Sequence, residues 1–191
     1  MMEIIRMIVV LSAITGLSGF ALSGIKQVTD PIIEEQILTN VQGPALQKIF
    51  VEGNNDPIAD RKTLSIVDGQ EVIVFPSLKD GKLLAVAMEA GGKGYGGDVN
   101  VLVGFDVAKD AILGISITTH KETPGLGSRV EDPSFTKQFR GLPLDKAALK
   151  RDGGDIDAVS GATFSSLGAS SAANQAAKWY ESIKDSIKTS W

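Results

Sequence analysis

The chain has 191 residues, 43% of them hydrophobic, and a formal net charge of −4. That length holds one ordinary domain plus a tail, and the apolar share suits a globular core with one added apolar segment, not a multi-span membrane protein. No basic run supports a nucleic-acid partner. The absence of cysteine excludes thiolate nucleophiles, disulfides, Cys-held iron–sulfur clusters and covalent haem, and a lone histidine excludes a multi-His metal site.

From Met7 to Ile25 run 19 residues without a charge, bounded by Arg6 and Lys26. As a helix rising about 1.5 Å per residue, they span most of a hydrocarbon core roughly 30 Å thick. Thr15, Gly19 and Ser23 recur every fourth position, with Ser12 and Gly16 beside them. That is a close-packing face for neighbouring membrane helices. Small residues are equally at home in any such span, and the two readings stand level. Ala21-Leu22-Ser23 also has the small-x-small form of a signal-peptide cleavage site. The preferred reading is an uncleaved transmembrane anchor over residues 1–28. The positive charge ahead of the span and the acidic Asp30, Glu34 and Glu35 behind it favour a start inside the cell. Residues 29–191 then form an extracytoplasmic domain.

After the anchor, Pro31 is expected to open a helix through Ile32, Ile33, Ile37 and Leu38, with a second short helix over Pro44–Phe50. Val51–Asp60 is polar and reads as a loop. Two pairs of β-branched runs follow, Val72–Phe75 with Leu83–Glu89 and Val99–Val107 with Ile112–Thr119. Lys79-Asp80-Gly81 and Ala108-Lys109-Asp110 supply their turns. Asp145–Lys150 reads as a short helix. From Ser165 to about Ile187, apolar residues at helical spacing predict a helix with one face on the sheet. The fold class is α+β: an antiparallel sheet flanked by helices.

Four stretches bear on chemistry. Gly91-Gly92-Lys93-Gly94-Tyr95-Gly96-Gly97 reads as a loop whose glycines permit positive φ and close backbone approach to something flat or anionic. It is not a phosphate-binding P-loop, because no Ser or Thr follows the lysine and no helix follows the run. Tyr95, flanked by glycines, is placed to stack on a ring or seal a pocket. His120-Lys121-Glu122-Thr123-Pro124-Gly125-Leu126-Gly127 makes a tight turn that gathers backbone N–H groups, Thr123 and Leu126 in one corner. His120 is assigned no catalytic role. Asp152-Gly153-Gly154-Asp155-Ile156-Asp157 lacks the ligand spacing of a calcium loop. Asp157-Ala158-Val159-Ser160-Gly161-Ala162-Thr163 puts a hydroxyl where a helix begins, and the N–H groups there would hold a phosphate well. Read alone, the same spelling also serves as an ordinary helix cap.

The blocks G-K-G-Y-G-G, H-K-E-T-P-G-L-G and D-A-V-S-G-A-T-F-S-S, in that order behind an apolar start, resemble the G subunit of the Rnf complex. The related C subunit of the Na⁺-pumping NADH:quinone reductase shares the last two runs but is usually longer. The resemblance implies an FMN-binding domain in an electron-transfer subunit of an ion pump that couples ferredoxin and NAD electron flow to Na⁺ or H⁺ movement. It implies FMN held covalently, as a phosphoester on Thr163 made by a flavin transferase that recognises Asp157. It further implies contacts from Ser160, Gly161, Ala162 and Ser165 near the phosphate, and from Tyr95, Glu122, Thr123, Gly125 and Leu126 around the ring. No residue is expected to be catalytic and no metal site is expected. Partners would be the membrane and the integral and peripheral subunits of the complex. Phe135 departs from the tryptophan common in related chains. A C-type subunit of the Na⁺-pumping NADH:quinone reductase, a stand-alone anchored extracytoplasmic flavoprotein and a cofactor-free tethered binding module are the alternatives.

Overall fold

The computed structural model describes residues 2–66 and 69–191. Two compact units divide between Asn40 and Val41. In the first, helix α1 runs from Met2 to Ile37. By length and composition it is long and apolar enough to cross a membrane. The new helix expected at Pro31 does not occur, because Pro31 lies inside α1. Proline removes one N–H and crowds the carbonyl four residues back. The helix already under way on both sides keeps its other backbone bonds, and continuing it outweighs the loss of one. The hydroxyls of Thr15 and Thr29 are satisfied within the helix, donating to the carbonyls of Leu11 and Ile25.

The second unit is built on a six-stranded antiparallel sheet whose spatial order follows the sequence. Its strands are β1 (Lys62–Ser65), β2 (Glu71–Lys79), β3 (Lys82–Lys93), β4 (Asp98–Asp106), β5 (Ala111–Thr119) and β6 (Leu142–Pro143). Asp80-Gly81 closes β2 to β3 with positive φ at both residues, as a two-residue hairpin requires. Between β4 and β5, the Asp106 carboxylate accepts the N–H groups of Ala108 and Lys109. This local bonding is what suits aspartate to turns.

Successive strand residues face opposite sides. A one-turn helix, α3 (Pro133–Thr136), precedes the long helix α4 (Thr163–Ser190); on one side of the sheet Val86, Met88 and Ala90 of β3 and Val99, Val101, Val103 and Phe105 of β4 meet α4. That helix buries Ala169, Ala172, Ala173, Ala176, Ala177, Tyr180, Ile183 and Ile187. Alanines on this face let α4 lie close to the strands, and Tyr180 stacks on Phe105 with ring centroids 4.6 Å apart. On the other side helix α2 (Gly43–Ile49) buries Ala45, Leu46 and Ile49. Gly104 of β4 leaves the space that Ile49 fills.

Several expectations need correction. The glycine run is not one loop. Gly91, Gly92 and Lys93 belong to β3, paired with Asn100, Val99 and Asp98, and the turn is only Gly94–Gly97. Its close approaches are internal: a Cβ on Gly92 would collide with the Gly168 carbonyl of α4. Of these glycines, Gly97 alone has positive φ. Asp145–Lys150 is not an α-helix. Short 3-10 turns at Leu144–Lys146 and Lys150–Asp152 flank Leu149, which bridges Ile156. Ala147 and Leu149 are both buried, a period-two pattern that extended backbone satisfies and a helix does not.

Asp110 sits at the end of the β4–β5 turn with φ 53°. It accepts from Lys184 at 2.5 Å and from the Tyr180 hydroxyl at 3.1 Å. The Lys184 ammonium holds the Asp110 carboxyl below the usual carboxylate range, while burial pushes the Tyr180 phenol well above its ordinary value. A depressed carboxylate pKa stabilises the fold above its unfolded value, about 3.9, and loses that contribution as pH falls through the folded value. Asp110→Asn, which tolerates the same backbone, is therefore expected to flatten the acid limb of a melting-temperature-against-pH curve. A limb as steep as wild type would contradict this.

Candidate functional site

Two loops and a helix start, distant from one another in sequence, meet at one carboxylate. Glu122 is 5% exposed. Its Oε1 accepts the Gly96 N–H at 2.9 Å, and its Oε2 accepts the Ser165 hydroxyl at 2.5 Å. Gly94 and Gly127 flank the group: a Cβ on Gly94 would collide with Oε1, and one on Gly127 would stand 2.9 Å from Oε2. Buried carboxylates survive only when hydrogen-bonded. Here the bonds come from the β3–β4 turn and from the first turn of α4.

The corner that carries Glu122 is itself fixed. His120 Nδ1 accepts the Glu122 N–H at 3.0 Å, so the ring proton lies on Nε2, which faces Glu131 at 2.7 Å. The Thr123 carbonyl accepts the N–H groups of Leu126, Gly127 and Ser128. Gly125 takes φ +74°, and its N–H donates to the Ser128 hydroxyl. His120 thus braces this corner through both ring nitrogens.

Thr163 opens α4, a 28-residue helix with no side-chain cap and no acidic residue in its first turn. The first N–H groups of such a helix lack intrahelical partners and carry the positive end of its dipole. Gly161, at φ +79°, bends the chain into this start. Ser166 fastens the bend, its hydroxyl accepting the Val159 N–H and donating to the Ala162 carbonyl, each at 2.9 Å. The Thr163 side chain is half-buried, and its hydroxyl makes no hydrogen bond among the described residues.

Thr163 lies on the wall of a cleft of about 320 Å³ lined by Tyr95, Glu122, Thr123, Leu126, Gly127, Gly161, Ala162, Thr163, Phe164 and Ser165. Three of these are large apolar side chains left in solvent: Tyr95 at 75%, Phe164 at 62% and Leu126 at 46%. An apolar rim with a few convergent polar groups is the usual form of a small-molecule site. The cleft offers a flat ligand apolar faces, and the helix start offers an anion its N–H groups. No group of metal-ligating side chains occurs among the described residues.

The structure gathers eight of the candidate positions into this cleft: Tyr95, Glu122, Thr123, Leu126, Gly161, Ala162, Thr163 and Ser165. Ser160 and Gly125 are exposed outside its lining. Asp157 is also outside. Gln138 clamps its backbone, accepting the Asp157 N–H at 2.8 Å and donating to its carbonyl at 3.2 Å, and Lys150 pairs its carboxylate at 2.7 Å. Phe164 and Gly127 are new. Phe164 breaks the polar start of α4, and an aromatic beside a candidate attachment residue was a signal available in the sequence. Gly127 has no such signal, because its role depends on a contact with Glu122.

Residues 94–178 match the family model of the FMN-binding domain. The G subunit of the ion-translocating oxidoreductase complex from Stutzerimonas stutzeri is 36% identical over 118 residues, 58% of this chain and 51% of that protein. The G subunit of the same complex from Methanosarcina acetivorans is 36% identical over 101 residues, 52% of this chain and 54% of that protein. The chain spans about half the length of the curated relatives it matches. Among solved structures, NqrC of Shewanella oneidensis superposes with TM-score 0.53 at 27% identity, covering 63% of each chain. The C subunit of the Na(+)-translocating NADH-quinone reductase from Parabacteroides distasonis has the same TM-score at 24% identity, over 69% of this chain and 71% of that one, and shares the fold.

Proposed function

We propose that this chain, a homologue of these G subunits with an FMN-binding domain, is the electron-carrying subunit of a membrane-bound Rnf-type ion pump. FMN is joined to it by a phosphoester on Thr163. One observation carries the reading: a hydroxyl with no hydrogen bond among the described residues, at the uncapped start of a long helix, on the wall of an apolar-rimmed cleft. The helix start favours the phosphate there, and the N–H groups that follow Thr163 are the donors at hand. Tyr95, Leu126 and Phe164 supply apolar surface for the ring, while Thr123 and the backbone of its corner supply polar contacts. When bound, FMN supplies the redox chemistry. The residues position it and set its surroundings.

The remainder follows from the same assignment. Asp157 stands exposed and backbone-clamped six residues ahead of Thr163, a presentation that suits recognition by a flavin transferase. Helix α1 serves as the anchor, with the flavin domain on the outer face and the other subunits of the complex as partners. Ferredoxin-to-NAD electron flow coupled to Na⁺ or H⁺ movement is the activity of the whole assembly. The fold likeness to C subunits of NADH-quinone reductases keeps a C-type role as the second reading. The higher identity to the G subunits favours the first.

The test is direct. The full-length chain is expressed with a flavin transferase, and its membranes are washed with alkaline carbonate and run on a denaturing gel. A band that stays in the membrane pellet and fluoresces as flavin is expected. A dark band removes the covalent cofactor, and a band in the wash removes the anchor.

A further inference from the structure

The Glu122 carboxylate is tied into the cleft by neutral groups alone. Its two donors are a backbone N–H and a hydroxyl. Among the described residues no lysine, arginine or histidine lies within ion-pair range of it. Solvent screens a charge that is 5% exposed only weakly. Nor can the group swing away, since the backbones of Gly94 and Gly127 flank its two oxygens. Each oxygen accepts one bond and retains acceptor capacity. The result is a carboxyl group held at fixed position on the cleft wall by neutral donors, with no cation among the described residues to pair it.

We propose that Glu122 holds the reduction potential of the bound FMN low. This rests on the assignment of FMN to Thr163. Glu122 lines the cleft that would hold the ring, and a negative charge on that poorly screened wall would disfavour added electron charge on FMN bound there. Gly94, Gly96 and Gly127 of the first two blocks and Ser165 of the third then share a purpose beyond packing: they admit and fix one carboxylate. Glu122 acts through its field.

A structural tie alone makes a different forecast. Glu122→Gln keeps the size of the side chain, its acceptor toward Gly96 and a partner for Ser165, and removes only the charge. Anaerobic dithionite titration of the flavin-loaded, full-length protein, followed by flavin absorbance, is expected to show a higher midpoint for Glu122→Gln. The shift is at least roughly tenfold in the equilibrium constant, about 59 mV for a one-electron step. Ser165→Ala in alkaline buffer leaves the charge and deletes one donor dipole, so its midpoint moves the other way, downward. A purely structural tie leaves the Glu122→Gln midpoint at the wild-type value, or moves both variants in one direction, and either result overturns the proposal. If Glu122→Gln fails to fold or to load, the direction of the Ser165→Ala shift decides. A wild-type chain without flavin would instead sink the Thr163 assignment, so the two failures are distinguishable.

Discussion

Thr163→Ala is expected to abolish flavin fluorescence from the denatured band while leaving the domain folded. Thr163 is the first residue of α4 and not its cap, and its hydroxyl bonds nothing in the fold among the described residues. Its removal should therefore change stability by no more than about 0.5 kcal/mol, as for other sites away from special features. The neighbouring hydroxyls cannot substitute. Ser165 is buried and donates to Glu122, and Ser166 is buried with its hydroxyl engaged twice. Ser160 is exposed but lies outside the cleft lining. Thr163→Ser restores a hydroxyl at the same place and should restore label. Asp157→Ala should slow labelling without abolishing it, since the Lys150 pair it breaks is solvent-exposed and contributes little to stability. In-gel fluorescence beside a thermal melt reads all of these variants. An equally bright Thr163→Ala band would defeat the assignment.

The second large effect concerns the contact between β3 and α4. A Cβ on Gly92 would collide with the Gly168 carbonyl and come within 2.8 Å of the Ala172 nitrogen. A Cβ on Gly168 would stand 2.9 Å from both Cα and N of Gly94. Backbone meets backbone here, so neither side has a flexible end that can yield. Gly92→Val must lift α4 from the strands and open the core that Val101, Val103, Ala172 and Ala176 share. Overpacking of a tight core typically costs 1–3 kcal/mol, and with backbone on both sides a loss of about 3 kcal/mol or more is expected. Flavin loading should fall as well, although Thr163 is intact, because α4 and the β3–β4 turn assemble the cleft together. Chemical denaturation of the loaded and unloaded protein would show it. A Gly92→Val midpoint equal to wild type would mean that the close contact is absent.

The strands were legible because their chemistry is local. Val99–Val107 and Ile112–Thr119 alternate around tight Asp-containing turns, and the structure follows them within one or two residues. The short strand β1 was not, because Lys62-Thr63-Leu64-Ser65 is an edge strand with three exposed positions and no alternation to read. Pro76 likewise argues against a long β2. It is tolerated because β1 pairs only as far as Val74, so no neighbour on that side needs its missing N–H.

At the cleft, the chain could announce Thr163 through its small-residue turn and helix start. It could not announce Glu122 as the meeting point of Gly96 and Ser165, positions 26 and 43 residues away. The glycines of Gly91–Gly97 suggest a ligand, because a sequence shows that something approaches closely and not what. In the structure the approaching groups are Asn100 at Gly91, α4 at Gly92, the Glu122 carboxylate at Gly94 and the Lys121 carbonyl at Gly96. Asp145–Lys150 failed for a related reason: the isolated bridge from Leu149 to Ile156 outcompetes a local helical preference.

The most direct measurement is the intact mass of the full-length chain matured with its flavin transferase, followed by fragmentation of the peptide that spans residues 152–178. One FMN phosphoryl adduct, localised to the Thr163 side chain, is the expected result. An unmodified Thr163, or an adduct on another residue of that peptide, would contradict the assignment of this cleft as a covalent flavin site.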